Sequence, residues 1–282
     1  MTPRHESIKD VISGYLFKYL EQFKLNLEKA RIEYDAEAIH EYRVAVKRIR
    51  AIFRAVNRLY EEPVLPPGMI RPLRLMFKAG GSIRDDQVQI GLVQNVEKEF
   101  GRPFPLIKAF YDKRIDNQRD SFFIKSVDFD YTGLDDIGEL IKADLEPLDS
   151  ESLESMLMEQ LLVSMDKLKK RRYDLEKPDK LHQFRTRYKE AGYVAEMLHT
   201  SKYSHKIPRA TFNRMKNFGL KLGNWHDHYQ LWSKTSLIFQ ESKDINLLEE
   251  AFELRKLITP IHDKLFQEMI HLIKRDDKLF EL

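Results

Sequence analysis

Two short stretches carry residue types suited to holding an anion. One is His40-Glu41-Tyr42-Arg43-Val44-Ala45-Val46-Lys47, the other His182-Gln183-Phe184-Arg185-Thr186-Arg187-Tyr188-Lys189. Each sets an imidazole, a guanidinium and an ammonium at i, i+3 and i+7, a spacing that puts all three on one face of an α-helix. A guanidinium offers a fork of donors matched to phosphate oxygens, and an ammonium is an adaptable point charge. A neutral imidazole donates one hydrogen bond, and nearby anions favour its charged form. Covalent chemistry finds no such pattern. There is no Cys, the scattered Ser and Asp residues define no nucleophile, and neither a phosphate-binding loop nor a dinucleotide fingerprint occurs. His226-Asp227-His228 invites a metal reading, but His226 and His228 stand about 200° apart on a helix and no third ligand spacing supports them. The expectation is a binding protein without catalysis, metal or cofactor.

The stripe is longer than its first three members. With His40 at 0°, Arg43, Lys47, Arg50, Arg54 and Arg58 fall between about 280° and 0° on a helical wheel. Ile39, Tyr42, Val46, Ile49, Phe53 and Val56 fall between about 160° and 260° and form the apolar stripe beside it. A basic stripe that borders the core seam lines a groove between elements. Leu181, Phe184, Tyr188, Ala191, Ala195 and Leu198 repeat the apolar positions in the second stretch. The basic positions repeat only in part. Gly192 stands where Arg50 predicts a base, and Glu190 follows Lys189 where a base follows Lys47.

The two stretches are one element repeated at an offset of 142 residues. A second block keeps that offset: Gly81-Ser82-Ile83-Arg84-Asp85 matches Gly223-Asn224-Trp225-His226-Asp227, with His226 in the place of Arg84. Charge follows the repeat. Residues 40–84 and 182–226 each carry a net +7, so the remainder holds −11 in a chain whose net charge is +3. Positive charge concentrated in this way favours a polyanion: nucleic acid, polyphosphate or an anionic membrane surface. Nucleic acid fits less well, because the net charge is small and no exposed aromatics interleave with the stripe.

The elements that position these residues are helices. Gly and Pro number eleven each in 282 residues and cluster near Glu62–Gly68, Gly101–Pro105, Asp130–Gly133, Glu146–Ser150, Lys177–Asp179 and Tyr203–Pro208. Between the clusters apolar residues recur at i, i+3, i+4 and i+7, as in Ile8, Val11, Ile12, Tyr15, Leu16, Tyr19 and Phe23, and no stretch alternates as a strand would. The fold class read from this is all-α, about eight to ten helices. They form two four-helix bundles related by a pseudo-two-fold axis, one within residues 1–130 and the other within 131–282. No apolar run reaches the length of a membrane helix and Met1–Asp10 carries no apolar signal region, so a cytoplasmic location is expected. The run Lys169-Lys170-Arg171-Arg172 reads as a solvated helix end.

The repeated pair of motifs, His-x-x-Arg-x-x-x-Lys and then Gly-x-x-(Arg/His)-Asp, resembles the conserved-histidine α-helical domain, the CHAD family. The resemblance rests on His40, Arg43, Lys47, Arg48, Arg50, Gly81, Arg84 and Asp85, and on His182, Arg185, Lys189, Tyr193, Glu196, Gly223 and Asp227. It implies a pair of four-helix bundles with a basic central cavity that binds inorganic polyphosphate, generally without catalysis. The family often carries a triphosphate tunnel domain that enters with Glu-x-Glu-x-Lys; Met1–Asp10 lacks it, so a stand-alone copy is expected. The groove would be lined by His40, Arg43, Lys47, Arg50, Arg54, Arg74, Lys78 and Arg84, with His182, Arg185, Lys189, Lys216 and Lys221 as a thinner second set. Asp85 and Asp227 would pair with bases and hold them in position, and Gly81 and Gly223 would allow close approach. Phosphate or sulfate ions would be minor ligands, polyphosphate granules a possible place of residence, and a general polyanion or nucleic-acid surface the alternative reading.

Overall fold

Helices begin where short polar side chains can satisfy the first backbone donors. In the computed structural model, which describes residues 7–62, 68–199 and 207–282, Ser7 accepts from the Asp10 N–H while Asp10 accepts from the Ser7 N–H. This capping box opens α1 (Ile8–Glu33), which ends at Tyr34 in the left-handed region, φ 51°. Asp35 caps α2 (Ala36–Asn57) through the N–H groups of Glu37 and Ala38. There follow α3 (Arg71–Ala79), α4 (Gly81–Phe100), α5 (Pro105–Val127), α6 (Thr132–Leu145) and α7 (Ser150–Lys170). The last three are α8 (Pro178–His199), α9 (Arg209–Glu241) and α10 (Ile245–Arg275). Proline in the first turn of α3 and of α5 costs no hydrogen bond, because those donors have no intrahelical partner.

The fold is all-α, and no strand occurs among the described residues. No helix there is long and apolar enough to cross a membrane. The expected breaks around Glu62–Gly68 and Tyr203–Pro208, and most of the leading segment Met1–Asp10, lie largely outside the described residues. Three interruptions fall away from the Gly/Pro clusters, at Tyr34–Asp35, at Gly80 and at Ser242–Asp244.

Helix ends recur at the offset seen in the sequence. Adding 142 to Ala36–Asn57 gives the bounds of α8, and α3 with α4 together map onto α9. Two differences stand out: α9 starts four residues before the counterpart of Arg71, and it has no counterpart of the break at Gly80. A Cβ there would stand 1.6 Å from the Tyr42 hydroxyl, which donates to the Met76 carbonyl at 3.3 Å. The corresponding residue of α9 is Leu222, fully buried, and the helix runs on unbroken.

Both apolar stripes read from the wheel are buried along their whole length, from Ile39 to Val56 and from Leu181 to Leu198. Core packing crosses the boundary expected at 130/131. The larger core joins α1 and α2 to α6, α7 and α8, and takes in Phe122 of α5 and Trp225 of α9. A smaller one sets Val93 and Val96 of α4 and Phe104, Ile107 and Tyr111 at α5 against Leu231 and Ile238 of α9 and Leu247, Ala251, Leu254 and Ile258 of α10. Each core therefore draws on both halves, and α2 packs against α8.

Candidate anion-binding site

The crossing of α2 and α8 is fastened by two ion pairs. Arg48 donates from Nε and Nη2 to both oxygens of Glu196, each at 3.1 Å, and Arg54 donates to Glu190 at 2.8 Å. Residues 48 and 190 are equivalent at the 142 offset, as are 54 and 196, so one contact occurs twice with its charges exchanged. This accounts for Glu190, which in sequence looks like a missing base. It also engages Arg58 at 3.4 Å, so the Arg54 and Arg58 cations are partly neutralised. Tyr19 donates to Glu196 at 3.2 Å, and the Arg48 guanidinium lies over the rings of Tyr19 and Tyr193.

Beside this crossing the two repeats bring their bases together. Lys47 feels Arg43 on its own helix, Arg185 and Lys189 on α8, and Asp85 on α4. Burial and those cations push its ammonium down to about 7. Lys189, surrounded by Arg185, Arg48 and Asp227, is pushed down to about 8, with burial the larger cause. Arg43 and Arg185 are lowered by burial as well. Two carboxylates face four cations. Asp85 stands 3.8 Å from Arg43, too far to hydrogen-bond, and Asp227 acts on Arg185 and Lys189 through its charge. Both therefore lie among bases, as expected, without locking any of them by a direct bond.

The part of the site that sequence reasoning missed is Phe77. Its carbonyl accepts from Arg43 Nη1 at 2.6 Å, and its ring lies 4.3 Å from the Arg43 guanidinium, 5.7 Å from Lys47 Nζ and 5.8 Å from the Arg50 guanidinium. A half-buried aromatic plate thus supports three members of the stripe, and its negative face partly offsets their repulsion. Gly81 lies directly against the Arg43 guanidinium. A Cβ there would come 2.7 Å from Arg43 Nη1, whereas at Gly223 the nearest atom, Lys189 Nζ, would be at an ordinary 3.7 Å. Gly223 is therefore not required for close approach.

The remaining predicted residues sort by position. His40 sits at the edge of the cluster, half-exposed, its imidazole held below the ordinary range by burial and by Arg84. Arg84 points its Nη1 at the Ala36 carbonyl, 3.5 Å away. Arg50 is lowered by burial and by Arg54 and Arg74, which places Arg74 on the same wall. The Nε atoms of Arg50, Arg84 and Arg185 are buried with no acceptor among the described residues. Lys78 and Lys216 are exposed on α3 and α9. Lys221 does not join the site: it lines a separate concavity with Gln267, His271 and Lys274 of α10, because it is turned about 200° from Gly223 on its helix. In the second half the His182 ring lies against His226, with centroids 4.7 Å apart and the planes tilted by 30°. His226 has Asp227 at 3.6 Å, and neither of its ring nitrogens has a hydrogen-bond partner among the described residues. Burial holds both imidazoles below the ordinary range, helped by His226 and Arg185 at His182 and by Arg185 at His226. His228 turns away to the Asn224 carbonyl at 2.9 Å.

Fold and site define an all-α protein in which two corresponding helices cross and gather their bases at one place. A family model for the CHAD domain matches residues 14–233, and the chain belongs to the CHAD domain family. Its fold is similar to that of the CHAD domain from the plant Ricinus communis, with a TM-score of 0.73 at 19% identity, over 97% of this chain and 94% of that one. No curated protein matches the sequence.

Proposed function

We propose that the chain binds inorganic polyphosphate along the α2–α8 crossing, without catalysis. The observation that carries this reading is the meeting of Arg43 and Lys47 with Arg185 and Lys189 in a half-buried cluster where Asp85 and Asp227 are the carboxylates acting on them among the described residues. Burying cations beside one another is unfavourable unless a counter-charge joins them. A flexible chain of phosphates supplies that charge in many small steps, so it suits a track better than a compact anion does. The family resemblance supports the same ligand. In a cell the reading places the protein with cytoplasmic polyphosphate, including its granules.

The test is calorimetric titration with long-chain polyphosphate at two salt concentrations, with orthophosphate and a short DNA duplex alongside. Tight, salt-sensitive polyphosphate binding and much weaker duplex binding are expected, since each phosphate contact releases counterions. Lys47→Glu with Lys189→Glu should abolish it while the helical signal and melting stay cooperative. Equal affinity for duplex would replace the reading with a general polyanion surface, and absence of binding would refute both.

A further inference from the structure

The basic stripe of α2 does not end at the central cluster. Its last member, Arg58, caps the C-terminus of α2 and lines a concavity of about 410 Å³ between α7 and α8. Lys167 and Arg171 reach it from the end of α7, and Arg187 from the face of α8 turned away from Lys189. Four cations and one carboxylate, Glu190, line it, and Glu190 is already engaged by Arg54 and Arg58. Lys167, Arg171 and Arg187 form no ion pair among the described residues.

The run Lys169–Arg172 clarifies why this is more than a solvated helix end. Lys169 and Arg172 turn to Asp277, and Lys170 pairs with Asp166 at 2.6 Å. Arg171 alone is left facing the concavity. Along α2 the eleven steps from Lys47 to Arg58 span roughly 16 Å, and Arg50 and Arg54 lie between them on one stripe. A compact anion in the central cluster does not reach the concavity; a chain of phosphates lying along the stripe does.

We infer that the α7–α8 concavity is a second subsite of the same track, holding the distal part of a long polyphosphate chain and setting a preference for length. This rests on the polyphosphate reading of the central cluster. The test compares long-chain polyphosphate with tripolyphosphate on the full chain and on the triple variant Lys167→Glu, Arg171→Glu, Arg187→Glu. A control triple variant reverses Lys98, Lys113 and Lys125, exposed lysines on α4 and α5, for the same change in net charge. The concavity variant should lose about tenfold or more in long-chain affinity, as expected for three exposed contacts. Its salt dependence should flatten by about two in slope. Tripolyphosphate binding and the control variant should change little. Unaltered long-chain affinity in the concavity variant, or an equal loss in the control, would overturn the subsite and leave the central reading standing. Failure of the parent protein to bind either polyphosphate would refute the central reading, and the subsite with it.

Discussion

Binding of polyphosphate should take up protons, and its affinity should fall as pH rises. The perturbation is pH itself, acting on Lys47 and Lys189. With these ammoniums at about 7 and about 8 in the free protein, at pH 8 about a tenth of Lys47 and half of Lys189 carry charge. A phosphate chain beside them favours the charged forms and moves both back toward the ordinary lysine range near 10.4. Complete recharging takes up about 1.4 protons per site at pH 8. Between pH 7 and pH 9 the ceiling on the loss of affinity is roughly 500-fold. The two groups share neighbours and do not titrate independently, so at least tenfold is the expected loss. The ligand contributes little, because internal phosphates of a long chain remain singly charged across this range. Titrations at pH 8 in two buffers of different ionisation enthalpy count the protons directly. Lys47→Arg keeps its charge at all these pH values, so uptake should drop to about half a proton and the pH dependence should flatten. The free fold responds with the opposite sign. From about pH 7 to pH 10 the unfolded chain holds the Lys47 proton that the folded chain has released, so stability rises with pH across that window. Zero proton uptake at pH 8, with affinity constant from pH 7 to 9, would refute the argument that burial and mutual repulsion discharge these lysines.

The glycines separate the two halves: Gly81→Ala should displace the Arg43 guanidinium and weaken polyphosphate binding severalfold with little change in melting, while Gly223→Ala should leave binding intact and stabilise helix α9 by about 0.5–1 kcal/mol. Gly80→Ala meets the rigid, buried Tyr42 ring rather than a flexible side-chain end and should cost about 1–3 kcal/mol in urea unfolding. Asp86 is buried and receives Arg114 at 3.2 Å and Lys234 at 2.9 Å, tying α4 to α5 and α9. Asp86→Ala should therefore destabilise by about 3 kcal/mol in thermal or denaturant unfolding, without changing polyphosphate affinity. Exchanging Arg48 and Glu196 should recover most of the stability lost by Arg48→Ala alone, because the equivalent positions Glu190 and Arg54 already use the exchanged order; a double-mutant cycle measures the recovery.

Amphipathic periodicity and the repeat were local properties, and they were legible before any coordinates. The buried stripes of α2 and α8, and the basic stripe that sets His40, Arg43 and Lys47 on one helix face and His182, Arg185 and Lys189 on another, follow from 3.6-residue spacing and side-chain type. Three features were not. Glu190 looks like a defect in the second copy until α8 is laid across α2, where it becomes the partner of Arg54 and Arg58. Phe77 reads as one more apolar residue of a short helix until α3 is folded beneath Arg43, Lys47 and Arg50. Lys221 reads as a member of the basic set, yet its place two residues before Gly223 on α9 turns it toward α10. The sequence alone determined which faces are apolar and which are basic, because that depends on neighbours within one helix. Only the tertiary structure decided which cations share a site, which are neutralised and which lysines lose their protons, because charge and burial act through space between residues far apart in the chain.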